Sequence, residues 1–251
     1  MRLVDPYALR LKTSRETIIF AASQRTGEHE VQEDYFLNFN DECFVIADGI
    51  GFLPNGDRAS QFACETAIWA FKHIRQHRYY WHDKKLFMKR IFRTTNMAIW
   101  QKRREKEFAQ GIATNLLVLI VGAKQYWVGV AGEVGAWLLH GGSMKKLTPE
   151  SGARKDSTEH VLGAQRLGLV PHYNTGTLSL GDVMVIASAG CGNYVTPLDL
   201  QTSAASVGET VDDATRAVTM LLEAAEVNGS TDNMTAALVK RTQTGPEVPS
   251  I

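Results

Sequence analysis

The sequence predicts an α+β fold in which two antiparallel β-sheets pack face to face as a β-sandwich, with α-helices on the outside. Three observations predict it. Short apolar runs recur along the 251 residues, several are joined by connections so short that their neighbours must be antiparallel, and two long amphipathic patterns stand together between two of the runs. No linker-like composition divides the chain, so we expect a single domain over residues 1–251 with a loose tail at 242–251.

The first half of the chain contains three strand patterns followed by two helix patterns. The runs at 17–23 and 43–47 are apolar and bounded by polar residues or glycine, and residues 35–39 alternate between larger apolar and other side chains. Both patterns are typical of strands with one or two covered faces. Over residues 59–77 the apolar side chains recur at spacings of three and four, which predicts a helix, and a second helix is predicted from about 85 to 108.

The second half of the chain adds more strands and one helix. Strands are predicted over 116–121, 126–131, 136–139, 144–147, 183–188 and 235–240, and a helix over 211–227. The predicted strands of the whole chain come in meander-like blocks. Four tryptophans on these faces are expected in the core: Trp69, Trp100, Trp127 and Trp137.

The charges balance overall but not locally. The chain has 27 basic and 27 acidic residues, so no nucleic-acid or membrane partner is expected from whole-molecule charge. Residues 72–106 nevertheless carry twelve Lys or Arg against two acids, Asp83 and Glu105. This segment is either a solvated helix face or a docking surface for an acidic partner.

Thiol usage and hydropathy predict a cytoplasmic protein. Cys43, Cys64 and Cys191 are scattered without a Cys-x-x-Cys spacing, which favours a reducing compartment over a disulfide framework or a structural zinc site. The N-terminal residues lack the apolar core of a signal peptide, and no apolar run approaches membrane-spanning length.

Acidic residues lie at the ends of several apolar runs. They are Glu33, Asp34, Asp48, Glu133 and Asp232. Carboxylates contributed by distant segments at strand ends are the ligands that Mg²⁺ and Mn²⁺ prefer. The sequence therefore predicts a hard-cation site.

The order of these motifs resembles the type 2C family of metal-dependent serine/threonine protein phosphatases. The matching segments are 32–34 (Gln-Glu-Asp), 47–51 (Ala-Asp-Gly-Ile-Gly), 132–135 (Gly-Glu-Val-Gly), 188–190 (Ser-Ala-Gly) and 232–235 (Asp-Asn-Met-Thr). Each motif alone is weak, because Asp-Gly after a strand is usually a turn. Five in the family order, within a resemblance that spans residues 17–241, are specific.

The resemblance implies hydrolysis of phosphoserine or phosphothreonine in proteins by water activated between two Mg²⁺ or Mn²⁺ ions, roughly 3.5–4 Å apart. By resemblance, Asp48 would bridge the two ions. The Gly49 carbonyl and Glu33 would hold one ion, and Asp232 the other. Asp34 would orient metal-bound water.

Several positions depart from the family pattern. Ala189 stands where the family has a metal-ligating aspartate, so we expect one ion to be held weakly, by fewer carboxylates and more water. Glu133 and Asn193 stand at positions that resemble an outer, third ion site, and a third ion is not expected there. His29 replaces an arginine that binds phosphate in the family, with Arg25 nearby as a substitute.

Two functions stay open from the sequence alone. The first is a metal-dependent phosphatase weakened at Ala189, and the second is an inactive pseudophosphatase that binds phosphoproteins or acts as a scaffold. The origin of Ala189 is open as well: it is either native or an engineered replacement of aspartate.

Overall fold

The fold was analysed in a computed structural model, which describes residues 16–51, 53, 55–77, 83–149 and 160–243. Its ten described strands are β1 (Glu16–Arg25), β2 (Asp34–Phe39), β3 (Cys43–Gly49), β4 (Thr114–Val121), β5 (Gln125–Ala131), β6 (Gly135–His140), β7 (Ser143–Lys146), β8 (His172–Thr177), β9 (Val183–Ala187) and β10 (Met234–Gln243). The described helices are α1 (Gly56–Ile74), α2 (Lys84–Lys102), a 3₁₀ turn (Lys106–Phe108), α3 (Ala189–Gly192), α4 (Pro197–Ala205) and α5 (Val211–Val227).

The strands form two five-stranded sheets, and every pairing is antiparallel. The first sheet has the order β1-β10-β9-β6-β7, and the second has the order β2-β3-β4-β5-β8. The two long helices α1 and α2 are inserted between β3 and β4, yet these strands are direct neighbours. This arrangement confirms the predicted α+β sandwich.

Three apolar clusters hold four layers together. One lies between the sheets and includes Phe44, Leu117 and Ile186. A second joins the outer face of the second sheet to α1 and α2, and a third joins the outer face of the first sheet to α4 and α5. Because β3 and β4 are covered on both faces, their side chains form continuous apolar runs rather than an alternating pattern.

Several boundaries and elements differ from the sequence prediction. The second helix ends at Lys102, and the predicted helical residues up to 108 form instead a turn and the 3₁₀ segment. Strand β10 runs to Gln243, so residues 242 and 243 belong to the first sheet rather than to a loose tail, while 244–251 lie outside the described residues. The sequence analysis missed β8 and α4.

Tryptophan burial was predicted correctly at two of four positions. Trp127 and Trp137 are each 6% exposed, Trp100 is half-buried, and Trp69 is 54% exposed. Trp69 follows the buried Ala67 by two positions, which turns it about 200° around the helix and away from the core. Its indole stacks on His73, with ring centroids 4.1 Å apart.

Candidate metal centre

The ends of three adjacent strands bring polar side chains into one row. Asp34 at the start of β2 lies directly opposite Asp48 near the end of β3, and Asp48 lies opposite Asn115 of β4. Directly opposed residues point to the same face of a sheet. Glu33, which precedes β2, accepts a backbone hydrogen bond from Gly49 N–H at 3.0 Å, so the first two acidic motifs are fixed together by strand pairing.

The loop before β10 connects the first sheet to this row. The Asn233 side chain accepts a hydrogen bond from Glu33 N–H at 2.7 Å and donates one to the Thr26 carbonyl at 2.8 Å. Asn233 is 6% exposed, and both bonds are partly shielded from water. They hold Asp232, the residue before it, on the same side of the molecule as Glu33.

Ala189 begins the short helix α3 and contacts the centre through its backbone. Its N–H donates to Asp48 Oδ2 at 2.9 Å. A very small cavity, about 10 Å³, lies beside it and is lined by Glu133 and Asn193 among others. The structure thus places Ala189 against Asp48, and Glu133 beside Asn115, whose side-chain oxygen accepts a hydrogen bond from Glu133 N–H at 3.2 Å.

Burial and mutual repulsion disturb the ionisation of the acids. Burial raises the pKa of Asp48 to about 7, and repulsion from Asp232 and Glu133 raises it further. Hydrogen bonds from Ala189 and Asn115 act in the opposite direction and lower this pKa. Burial also raises the pKa of Asp34 well above its usual range, with Asp48 as the next cause. These carboxylates are therefore close enough to destabilise each other's charges.

Glu33 shows a weaker version of the same effect. Its pKa is raised by burial first, then by Asp57 and Asp232, while His29 opposes the shift. Gly56 gives this carboxylate room, because a Cβ there would lie 2.6 Å from the Glu33 carboxyl carbon. Asp57 was not predicted as a site residue from the sequence; it lies in the first turn of α1, directly after Gly56.

His29 lies at the solvent-exposed rim of the centre. Its Nε2 is 3.3 Å from Asp232 Oδ1, and both side chains are more than half exposed. Arg25, the expected substitute for a phosphate-binding arginine, points elsewhere: its guanidinium pairs with Glu223 and Glu226 of α5. Of the two, only His29 lies beside the acids.

The donor set fits a hard divalent ion that keeps several waters. All of its side-chain donors are oxygens, and Asp34 Oδ2 is buried without a hydrogen-bond partner in the described part of the chain. Within those same ranges, no three carboxylate, imidazole or thiolate groups stand close enough to form a complete ligand cluster. Mg²⁺ tolerates such sparse ligation, since one or two carboxylates plus water can hold it.

Comparison with known proteins defines the family. The model of the family described as protein phosphatase 2C matches residues 24–239, so the chain belongs to the protein phosphatase 2C family. No curated protein sequence matches it.

Similar solved structures share the fold at low identity. PppA, described as a key regulatory component of T6SS in Pseudomonas aeruginosa, has a TM-score of 0.73 at 18% identity, covering 89% of this chain and 97% of its own. The catalytic domain of the serine/threonine phosphatase PstP with two manganese ions has a TM-score of 0.71 at 19% identity, covering 91% and 100%. Phosphatase Stp1 from Staphylococcus aureus has a TM-score of 0.71 at 16% identity, covering 89% and 95%.

None of the helices within the described ranges is both long enough and apolar enough to span a membrane.

Proposed function

We propose that this protein is a Mg²⁺- or Mn²⁺-dependent phosphatase that hydrolyses phosphoserine or phosphothreonine in proteins, and that its metal centre is weakened at Ala189. The observation that carries the proposal is the convergence of Glu33, Asp48 and Asp232 at one end of the sandwich. Asp232 lies nearly 200 positions from Glu33 in the sequence, and its charge raises the pKa of both Glu33 and Asp48. Membership of the protein phosphatase 2C family supports the same reaction.

The proposed roles of the residues are those that the family resemblance implies. Asp48 would hold up to two ions, with the Gly49 carbonyl and Glu33 on one side and Asp232 on the other. A bound ion would supply a deprotonated water as nucleophile. Asp34, buried behind Asp48 with one oxygen lacking a protein partner, would accept a hydrogen bond from water in the centre and orient it.

His29 would meet the substrate phosphate, because it stands at the exposed rim beside Asp232. An imidazole offers fewer donors than the guanidinium fork that the family uses, and it is charged only when protonated. Phosphate capture by this chain should accordingly be weaker than with an arginine. Glu133 is exposed and would have at most an outer role.

A non-catalytic function is the second candidate. Two observations favour it: a methyl group replaces a family ligand at Ala189, and the Arg25 guanidinium is engaged by Glu223 and Glu226. On this alternative the centre would bind phosphoproteins without hydrolysing them, or the fold would act as a scaffold. The buried free thiols of Cys43, Cys64 and Cys191 suit a cytoplasmic location for either function.

Hydrolysis of para-nitrophenyl phosphate with millimolar Mn²⁺ tests the proposal, on the unaltered chain and on Ala189→Asp. The restored carboxylate should raise the rate at least about tenfold, the lower end of what a metal-site partner contributes. Ala123→Asp is the matched control, since Ala123 is exposed at the opposite end of the second sheet, and its rate should not change. If neither the chain nor Ala189→Asp exceeds a metal blank, the phosphatase proposal fails and the binding alternative stands.

A further inference from the structure

A groove of about 890 Å³ runs along the outer face of the second sheet, between α2, β5 and β8. We call it the α2 groove. Its floor contains Met88 and Phe92 of α2, Trp127 of β5 and Tyr173 of β8. The rings of Phe92 and Tyr173 meet edge to face at 6.0 Å. The size and apolar floor are those of a binding pocket rather than of a packing defect.

The rim of the α2 groove is cationic. Lys85, Lys89 and Arg93 follow one another at four-residue spacing along α2 and are exposed, and Lys84 and Arg166 extend the positive charge. No Asp or Glu is among the described residues that line the groove.

This charge arrangement is unfavourable for the isolated protein. Like charges four positions apart on a helix repel each other, and no carboxylate in the described ranges pairs with Lys85, Lys89 or Arg93. An anionic partner would relieve the repulsion. The opposite rim offers apolar contacts, because Leu167 and Val170 are 65% and 64% exposed.

The backbone at this groove favours an extended partner. Strand β8 forms one edge of the second sheet and pairs on one side only, with β5, among the described strands. Such an edge can accept an added strand. The Tyr173 hydroxyl is buried and has no hydrogen-bond partner in the described part of the chain, so it is available to a group that enters the groove.

We propose that the α2 groove binds an extended acidic segment of a partner protein, which inserts one large apolar side chain against the floor and places carboxylates against Lys85, Lys89 and Arg93. A peptide fits better than a nucleic acid. Outside residues 72–106 the chain has 15 basic and 25 acidic residues, so a long polyanion would meet repulsion beyond the groove. No residue assigned to the metal centre lines the groove, and the proposal does not depend on catalysis.

Fluorescence polarisation with a labelled probe tests this proposal. The probe is a short peptide of Glu, Asp and Ser with one central Phe. Comparison probes replace the Phe by Ser, replace the acids by Lys, or are a single-stranded oligothymidine of equal length. The variant Lys89→Glu/Arg93→Glu reverses the rim charge, and Lys106→Glu/Lys145→Glu is its control, with the same charge change at exposed positions outside the groove.

The acidic Phe peptide should bind saturably, lose affinity about tenfold or more with Lys89→Glu/Arg93→Glu, and be unaffected by the control variant beyond about twofold. Binding should weaken with added salt and with Phe replaced by Ser. Equal loss in both variants would overturn the proposal, as would tighter binding of oligothymidine, which would indicate a nucleic-acid site. The absence of saturable binding up to about 1 mM peptide would overturn it as well.

Discussion

The acidic centre and the α2 groove both concentrate like charges, but they do so in opposite ways. The acids come from loops and strand ends of both sheets, and the structure withdraws the central pair from water: Asp34 is 3% exposed and Asp48 is half-buried. The cations of the groove come largely from one helix and remain in water. The difference lies in the dielectric around the charges.

Repulsion between exposed charges is weakened by water and salt, so the groove can exist without its partner at little cost. Buried carboxylates cannot be screened in this way, and they either take up protons or require a cation. A divalent ion is therefore expected to be part of the folded structure of the centre, whereas an acidic peptide would be an optional ligand of the groove.

The largest expected effect comes from removing the central carboxylate. Asp48→Asn should lower Mn²⁺-dependent phosphatase activity at least about 100-fold, because on the proposed function Asp48 would contact every ion in the centre. Steady-state hydrolysis of para-nitrophenyl phosphate measures it. The control Asp212→Asn, in the first turn of α5, should leave the rate unchanged. An Asp48→Asn variant that kept more than about a tenth of the activity would show that the Asp48 carboxylate is not required for the reaction.

Stability should depend on pH and metal in a way set by the buried acids. Burial raises the pKa of Asp48 in the folded state to about 7 from its ordinary value of 3.8, and the pKa of Asp34 is raised in the same direction. Between about pH 4 and pH 7 the folded state binds more protons than the unfolded state. The free energy of unfolding of the metal-free protein should therefore fall as the pH rises through this range, by an amount on the order of a few kcal/mol.

Urea unfolding in EDTA at several pH values measures this slope. Saturating Mn²⁺ should flatten it, since the ion replaces the protons and binds only the folded state. A metal-free protein that becomes more stable over the same pH range would contradict the argument.

The side chain that ties the β10 loop to Glu33 gives a smaller effect. Asn233→Ala removes two partly buried hydrogen bonds, and it should lower the free energy of unfolding by about 1–3 kcal/mol and the activity about tenfold or more. Asn228→Ala is the matched control: it also removes two hydrogen bonds, to Tyr194 and Asp199, but at an exposed position. Equal losses of activity in the two variants would refute a positioning role for Asn233.

The smallest expected effect is at the floor of the groove. Tyr173→Phe should stabilise the free protein by about 1 kcal/mol, because it removes a buried hydroxyl that lacks a partner in the described structure. Tyr126→Phe should do the reverse, since the Tyr126 hydroxyl donates to Asn174 at 3.3 Å. Thermal unfolding of both variants decides the comparison, and a destabilised Tyr173→Phe would show that the hydroxyl is satisfied in solution.

The sequence was sufficient for the architecture because the central strands are apolar runs and the long helices have clear periodicity. It was insufficient for β8, whose residues His172–Thr177 are mostly polar because this edge strand has little to bury. It also missed α4, although Thr196, Pro197 and Asp199 form a capping box with proline in the first turn. That signal was present in the sequence and was overlooked.

For the site, the positions of these acids at the ends of apolar runs predicted that they lie close together in the fold: Glu33, Asp34, Asp48 and Asp232. The roles of these residues remain predictions. Pairings that depend on side chains from distant segments could not be derived from sequence, such as Arg25 with Glu226 and the Ala189 N–H with Asp48. They are set by how the loops pack, and no local pattern encodes them.

Anomalous diffraction at the manganese edge, from crystals soaked in Mn²⁺, tests most directly whether distant acids form one ion centre. We predict a peak that contacts the Asp48 carboxylate, with Glu33 or Asp232 as a further neighbour. Manganese bound elsewhere with none at Asp48, or no bound manganese at all, would contradict the account.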